Sequence, residues 1–291
     1  MQTHRLRTKI KDDLFNMDTI AQYFLCLKLS KTYIEVVVFD TKIDRCVAYE
    51  YHDMYEEDKT TGTSGLTNFI KHHSFLHIVN WKAIYFMECG LQYSFVPEEY
   101  HHANYTASFL RLTADIDKQS YVMRQTQHVS QNSFCHFATP KYLTEWANSM
   151  YRDREISWVH QTSAFIEGLS KHADKIDSTQ LHVFHDKNYL CIVHFKNGKI
   201  NFVNSFESKD DADRVYYILL VMKELLLDQE DTRVWLYGEL EEDKGLFPLL
   251  ATYLPRLKMG VKPKNQNFGY RFDDMKTWQG FDIFSTYYFT K

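Results

Sequence analysis

The same order of elements occurs twice along the chain, and that constrains the fold more than any single motif. In residues 23–55 three apolar, β-branched and aromatic runs follow one another as "YFLCLKLS", "YIEVVVFD" and "RCVAYEYHDMY", which predicts a meander of three strands. A helix over "TSGLTNFIKHHSFLH" comes next, with Leu66, Phe69, Ile70 and His73 on one stripe, and then a strand in "WKAIYFMECG". Near residue 175 the order begins again. Strands are expected at about 181–186, 189–195 and 199–206, the last two joined by Asn197-Gly198, a strong hairpin signal. A helix capped by Ser208 then buries Val215, Ile218, Leu219, Met222, Leu225 and Leu226, before a strand in "RVWLYGEL" and a helix in "DKGLFPLLATYL". Both halves read strand-strand-strand-helix-strand-helix, although their residues differ.

The first half carries extra material. "QYSFVPEEY" reads as a strand ending at Pro97, which starts a helix over 98–111. "QSYVMRQTQHV" and "NSFCHFATP" form a hairpin across Ser130-Gln131, followed by the helix "KYLTEWANSMY", the short strand "EISWVHQ" and the helix "QTSAFIEGLSKH". The expected organisation is a first domain over 1–174, with a small strand-helix unit around 91–130, and a second domain over 175–291.

Composition removes several classes of function. A net charge of −4, with the 34 Lys and Arg scattered, gives no basic footprint for nucleic acid or for an anionic lipid surface. No window holds 18 consecutive apolar residues, and the charged start "MQTHRLRTKIKDDLFNMD" lacks the apolar core of a signal peptide, so a cytoplasmic protein without a membrane span is expected. Five cysteines (Cys26, Cys46, Cys89, Cys135 and Cys191) make no CxxC pair, and apolar neighbours suit buried, reduced thiols. Only ten glycines occur, roughly half the usual frequency of about 7%, although loops that press backbone amides against phosphate need them. The 21 Phe and 20 Tyr supply core and aromatic surface for recognition, for which Tyr93, Tyr100 and Tyr105 are candidates.

A three-strand meander followed by helix, strand and helix, occurring twice, resembles the actin-like ATPase fold shared by actin, the Hsp70 chaperones and sugar kinases. "LCLKLSKTYIEVV" and "CHFATPKYLTEWANSMYRDREISWVHQTSAFIEGL" follow the shapes seen in bacterial actin-like assembly proteins of cell division and type IV pilus machinery. More specifically, the chain is similar to an uncharacterised bacterial family assigned this fold, on features that include "FVPEEY" at 95–100. The resemblance implies an α/β chain with a duplicated ribonuclease H-like fold, two lobes around a central cleft.

It also implies where a nucleotide would bind, and there the residues depart from the pattern. An Asp that positions magnesium-bound water corresponds to Lys28, and a Gly that admits phosphate corresponds to Ser30. A charged lysine does not ligate a metal, and Lys28 and Lys31 are expected to be solvated turn residues. In the second hairpin Phe184 falls at the acidic position and Asp186 at the Gly position; a shift of two restores Asp186 to the acidic role, but Asp-Lys-Asn is also a good turn former. Gly238, where adenine would rest, is followed by Glu239, Glu241, Glu242 and Asp243, four carboxylates that repel a polyphosphate and suit a solvated approach to the next helix. Lys28, Ser30, Asp186 and Gly238 are thus the cofactor positions of degenerate motifs, no catalytic residue is expected, and ATP with magnesium is disfavoured. His73 and His77, four apart, lack the glutamate of a metal motif, so no metal site is expected. The expected function is a non-catalytic scaffold or adaptor for a protein partner; the alternatives are a diverged ATPase or kinase using Lys28 and Asp186, and a filament-forming protein.

Overall fold

The computed structural model describes residues 4–54, 63–152, 154–172 and 179–290. Its first sheet takes β1 (His4–Lys11), β2 (Tyr23–Leu29), β3 (Tyr33–Asp40), β4 (Arg45–Met54) and, after α1 (Ser64–His72), β5 (Ala83–Glu88). A separate three-stranded sheet follows, made by β6 (Tyr93–Pro97), β7 (Tyr121–His128) and β8 (Ser133–Pro140) around the short α2 (Thr106–Leu110). Then come α3 (Lys141–Met150), β9 (Ile156–His160) and α4 (Gln161–Ser170). The second large sheet contains β10 (Gln180–His185), β11 (Tyr189–Lys196), β12 (Lys199–Glu207), β13 (Arg233–Gly238) and β14 (Leu257–Met259), with α5 (Asp211–Glu224) and α6 (Leu246–Ala251) between them. The chain ends through β15 (Asn267–Phe268) and α7 (Phe281–Ser285).

The repeat is explicit in the strand order. The first sheet runs β4-β3-β2-β5-β9, with β1 outside β4, and the second runs β12-β11-β10-β13-β14. In each, the first three strands pair antiparallel and the last two parallel. The two five-strand orders are the same, so the duplication read from the sequence is a duplication of topology. β2 and β3 are buried at every position, as their near-continuous apolar runs require of strands covered on both faces. The hairpin at Asn197-Gly198 forms with both residues at positive φ, 53° and 72°, the conformation that matches the strand twist.

Packing explains where the C-terminal segment goes. One face of the first sheet buries Leu25, Val36, Phe69 and Trp146. Its other face buries Phe24, Phe39 and Tyr49 against Phe272, Ile283, Phe284 and Tyr287 from the end of the chain, with Phe39 and Tyr287 stacked at 4.4 Å. β15 also pairs with β4. α4 packs Phe165, Ile166 and Leu169 on Phe184, Val193 and Phe195 of the second sheet, and so lies between the two large sheets with the C-terminal segment beside it.

Some expectations are corrected. The helix expected over 98–111 is two 3-10 turns and the five-residue α2. The cap of α5 is Asp210, whose side chain accepts from the Asp213 N–H at 2.9 Å, while Ser208 is buried before it. α1 stops at His72, so His73 and His77 do not share a helical face; the ring of His77 instead bonds the His73 carbonyl at 2.8 Å. β1 was hidden because its "RLRTKIK" alternation is charged, as an edge strand exposed on one side should be. All five cysteines are free, and four of them are buried. Among the described residues no helix is long and apolar enough to cross a membrane.

Candidate functional site

In open α/β sheets a crevice forms beyond the carboxyl ends of the strands where the order reverses. Here those ends belong to β2 and β5 in the first sheet, and to β10 and β13 in the second. The turn after β2 and the turn after β10 meet: the Tyr33 hydroxyl donates to Asp186 Oδ2, joining residues 153 apart in sequence. Lys187 reaches back across the same junction to Asp53 Oδ1 at 3.0 Å.

Lys28 is not a solvated turn residue. It is the sixth residue of β2, 2% exposed, and faces the second half of the molecule. Its ammonium donates to Glu35 Oε1 at 2.9 Å, its cross-strand neighbour, and lies 2.8 Å from Asp282 Oδ2 on α7. The rings of Tyr33 and Phe184 stand 5.1 and 5.2 Å from the ammonium. Tyr49 donates to Glu35 Oε2 at 3.0 Å, and Gln161 donates to Asp282 Oδ2 at 2.8 Å. Tyr189 closes the group by donating to Gln161 Oε1. Burial works against the lysine charge, but Asp282 and then Glu35 outweigh it and hold Lys28 well above the ordinary lysine value. Burial pushes Glu35 up to about 7, with Lys28 pulling the other way; one cation between two buried carboxylates leaves surplus negative charge, which favours the protonated form.

The other residues expected at cofactor positions have structural partners. Ser30 sits in the turn, where its N–H bonds the Tyr33 carbonyl at 3.0 Å, and Lys31 is exposed, as expected of a turn residue. Asp186 also makes a turn, its N–H donating to Tyr189 O at 2.9 Å, but it is buried rather than solvated. Phe184, at the position first aligned with the expected acidic residue, is buried over Lys28. Gly238 ends β13 with φ of +100°, directly opposite His185 of β10. Of the carboxylates behind it, Glu241, Glu242 and Asp243 are exposed, while Glu239 is half-buried and lies 3.5 Å from Arg7.

The cavity enclosed by Lys28, Tyr33, Glu35, Asp186, Gly238 and Asp282 measures about 10 Å³, room for about one water. Two wider clefts adjoin it. One, of about 410 Å³, is flanked by Ser30, Lys31, Glu88, Cys89, Asn188 and Tyr189. The other, of about 670 Å³, sets Arg7, Lys187 and Lys276 against Glu239 and the exposed acidic residues that follow it.

Glu88 gives the first of these clefts a pH signature. Its Oε2 is cut off from water without a hydrogen-bond partner, and burial pushes the carboxyl up to about 8 from the ordinary 4.5, against the pull of Arg124 and Lys31. A carboxyl raised on folding contributes stability that is complete below its unfolded value and is lost as pH climbs through its folded value. The window is therefore about pH 4.5 to 8. Glu88→Gln is expected to gain on the wild type by on the order of 2 kcal/mol between about pH 5 and pH 8.5, measured by urea unfolding at both. The same difference at both pH values would mean that Glu88 ionises normally.

Two further groups were not foreseen. Ser163, His128 and Glu167 stand in the order nucleophile, base, carboxylate, with Ser163 Oγ on His128 Nε2 and Glu167 Oε2 3.4 Å from His128 Nδ1. Ser163 and His128 are wholly buried, so no substrate reaches the hydroxyl, and the group ties α4 to the end of β7. The second group, Glu50 with His52 and His73, lies on the far face of the first sheet.

Two sheets of one repeated order, enclosing a cleft at their strand ends, define an α/β protein of the actin-like ATPase fold. The known structures agree. A Bacteroides thetaiotaomicron protein described as having an actin-like ATPase fold and unknown function matches with a TM-score of 0.75 and 19% identity, over 85% of this chain and 94% of that one. The PilM–PilN type IV pilus biogenesis complex matches with a TM-score of 0.57 and 12% identity, over 92% of this chain and 98% of that one. Residues 12–257 match the family described as "Protein of unknown function (DUF3822)", and the chain belongs to that family. No curated protein matches the sequence.

Proposed function

We propose that this chain is a non-catalytic member of the actin-like fold, a scaffold or adaptor that binds another protein. The observation that carries the reading is the filled cleft. Where the two hairpin turns meet, Lys28 is neutralised by Glu35 and Asp282, Tyr33 is bonded to Asp186, and about 10 Å³ remains. Small-molecule sites usually need about 300 Å³ or more, a volume that the two adjoining clefts have and the junction between the hairpins does not. Admitting a polyphosphate and magnesium there would require breaking the ion pairs and separating the hairpins. The acidic residues after Gly238 add repulsion in the neighbouring cleft.

Two further facts support recognition of a protein. The fold relative from type IV pilus biogenesis is described as a complex of PilM with PilN. The unit between β5 and α3 carries several exposed large apolar side chains, among them Tyr100 at 67% and Tyr105 at 56%. Tyr93, by contrast, is buried with its hydroxyl 2.7 Å from Ser205 Oγ, and leaves the set of surface candidates.

Calorimetric titration of the purified chain with ATP, with and without magnesium, tests this. No saturable heat up to millimolar nucleotide is the expected outcome. Saturable, magnesium-dependent binding that Asp186→Ala abolishes would transfer the site to a diverged ATPase or kinase.

A further inference from the structure

On the face of the first sheet turned away from the cleft, three side chains with metal-ligand chemistry converge. Glu50 and His52 stand two apart on β4 and therefore point to the same side of the sheet. His73 closes the C-terminal end of α1, which packs on that side. Glu50 Oε2 lies 2.9 Å from His52 Nε2 and 2.7 Å from His73 Nε2. The three ligand atoms fall within 4.8 Å of one another, and each side chain is 7% exposed or less. Phe69 packs edge-on against His52 at 4.8 Å, and Phe75 against His73 at 4.5 Å, so the group sits in an apolar wall.

A carboxylate oxygen that accepts two imidazole N–H groups accounts for part of this arrangement. It leaves His52 Nδ1 buried as an acceptor with no hydrogen-bond partner. If the proton moves to Nδ1, the bare Nε2 faces a carboxylate oxygen, and only a cation between them makes that favourable. Two imidazole nitrogens and one carboxylate oxygen are the ligand set of three-ligand zinc sites, with the fourth position open to water.

We propose that Glu50, His52 and His73 form a binding site for a divalent transition-metal ion, with zinc the best fit. Zinc takes such ligands at about 2.0–2.2 Å, which separates neighbouring donors by roughly 3.3 Å. Admitting the ion takes an opening of about half an ångström from the present 2.7 and 2.9 Å. Lys9, whose ammonium lies 3.1 Å from Glu50 Oε1, occupies the mouth; its side chain is 45% exposed and can turn into solvent. The bound ion would tie the end of α1 to β4 and stabilise that side of the sheet by mass action. The site shares no residue with the cleft and does not depend on its function.

The test uses the full chain, stripped with a chelator and titrated with zinc by calorimetry, and with cobalt(II) followed by visible absorption. One ion per chain is expected, with the intense d–d bands of four-coordinate cobalt. His52→Gln/His73→Gln should weaken zinc by more than about 100-fold, since even loss of a supporting residue costs 10–100-fold. Lys9→Gln, which removes a competing cation while sparing every ligand, should tighten zinc binding several-fold. Absence of zinc and cobalt binding in the wild-type chain overturns the proposal, whatever the variants do. So does binding that survives unchanged in the folded double variant, because other histidines then hold the ion.

Discussion

Lys28→Met is expected to remove about 3–5 kcal/mol of stability, because it keeps the packing volume while leaving two carboxylates buried without their cation. Glu35 and Asp282 have side chains 4% and 0% exposed, and neither can turn toward water. The tyrosine and glutamine hydrogen bonds to them disperse charge but do not neutralise it. The deficit should depend on pH in a defined direction. In the variant Glu35 loses the Lys28 charge that opposes its burial, so its folded value rises further above its unfolded one. Stability relative to wild type is then best near pH 4–5 and falls as pH rises through neutrality. Urea unfolding of Lys28→Met at both ends of that range measures this, and adding Glu35→Gln and Asp282→Asn should recover most of the neutral-pH loss. A loss below about 1 kcal/mol would mean that water reaches the cluster, and the filled-cleft reading would fall with it.

How far the sequence disclosed this arrangement depends on where each partner lies. The two meanders were legible because β2, β3 and β11, buried at nearly every position, are nearly continuous apolar runs, and the turns that join them to their neighbours are short. The Lys28–Glu35 pair was legible in principle. Counting outward from the turn at Ser30 sets Leu29 opposite Ile34 and Lys28 opposite Glu35, each inside an otherwise apolar run. A charged residue in such a run has to be paired, and its cross-strand neighbour was the evident partner. Asp282 was not legible, because nothing local says that a helix some 250 residues later packs on this face. The same division holds for the Glu50 group: the i, i+2 spacing of Glu50 and His52 is visible in β4, but His73 enters only through the packing of α1. β14 and β15, at three and two residues, are too short for any periodicity, and they are defined by the sheets they join. Edge strand β1 failed for the opposite reason, since its polar face dominates its pattern.

Gly238 separates the two readings of the cleft most sharply. In a nucleotide site the glycine would matter because a base or phosphate lies against it. In this chain it is already required by the protein itself. At φ of +100° a side chain is strained, and a Cβ would lie 2.1 Å from the His185 carbonyl oxygen, 3.1 Å from its carbon and 3.3 Å from its nitrogen. Those atoms are backbone of the strand paired with β13, and the Gly238 N–H is fixed to Trp278 O at 3.0 Å, so neither side can yield cheaply. Gly238→Ala is therefore expected to cost more than about 3 kcal/mol, about 1–3 from the backbone conformation and the remainder from parting β10 and β13. Gly198→Ala is the control: it has φ of +72° with open space where its Cβ would go, and should cost about 1 kcal/mol. Urea midpoints of the two variants, without nucleotide, measure the difference directly. Near-equal losses would show that β10 and β13 have room at Gly238, and the glycine would then be free to serve a ligand.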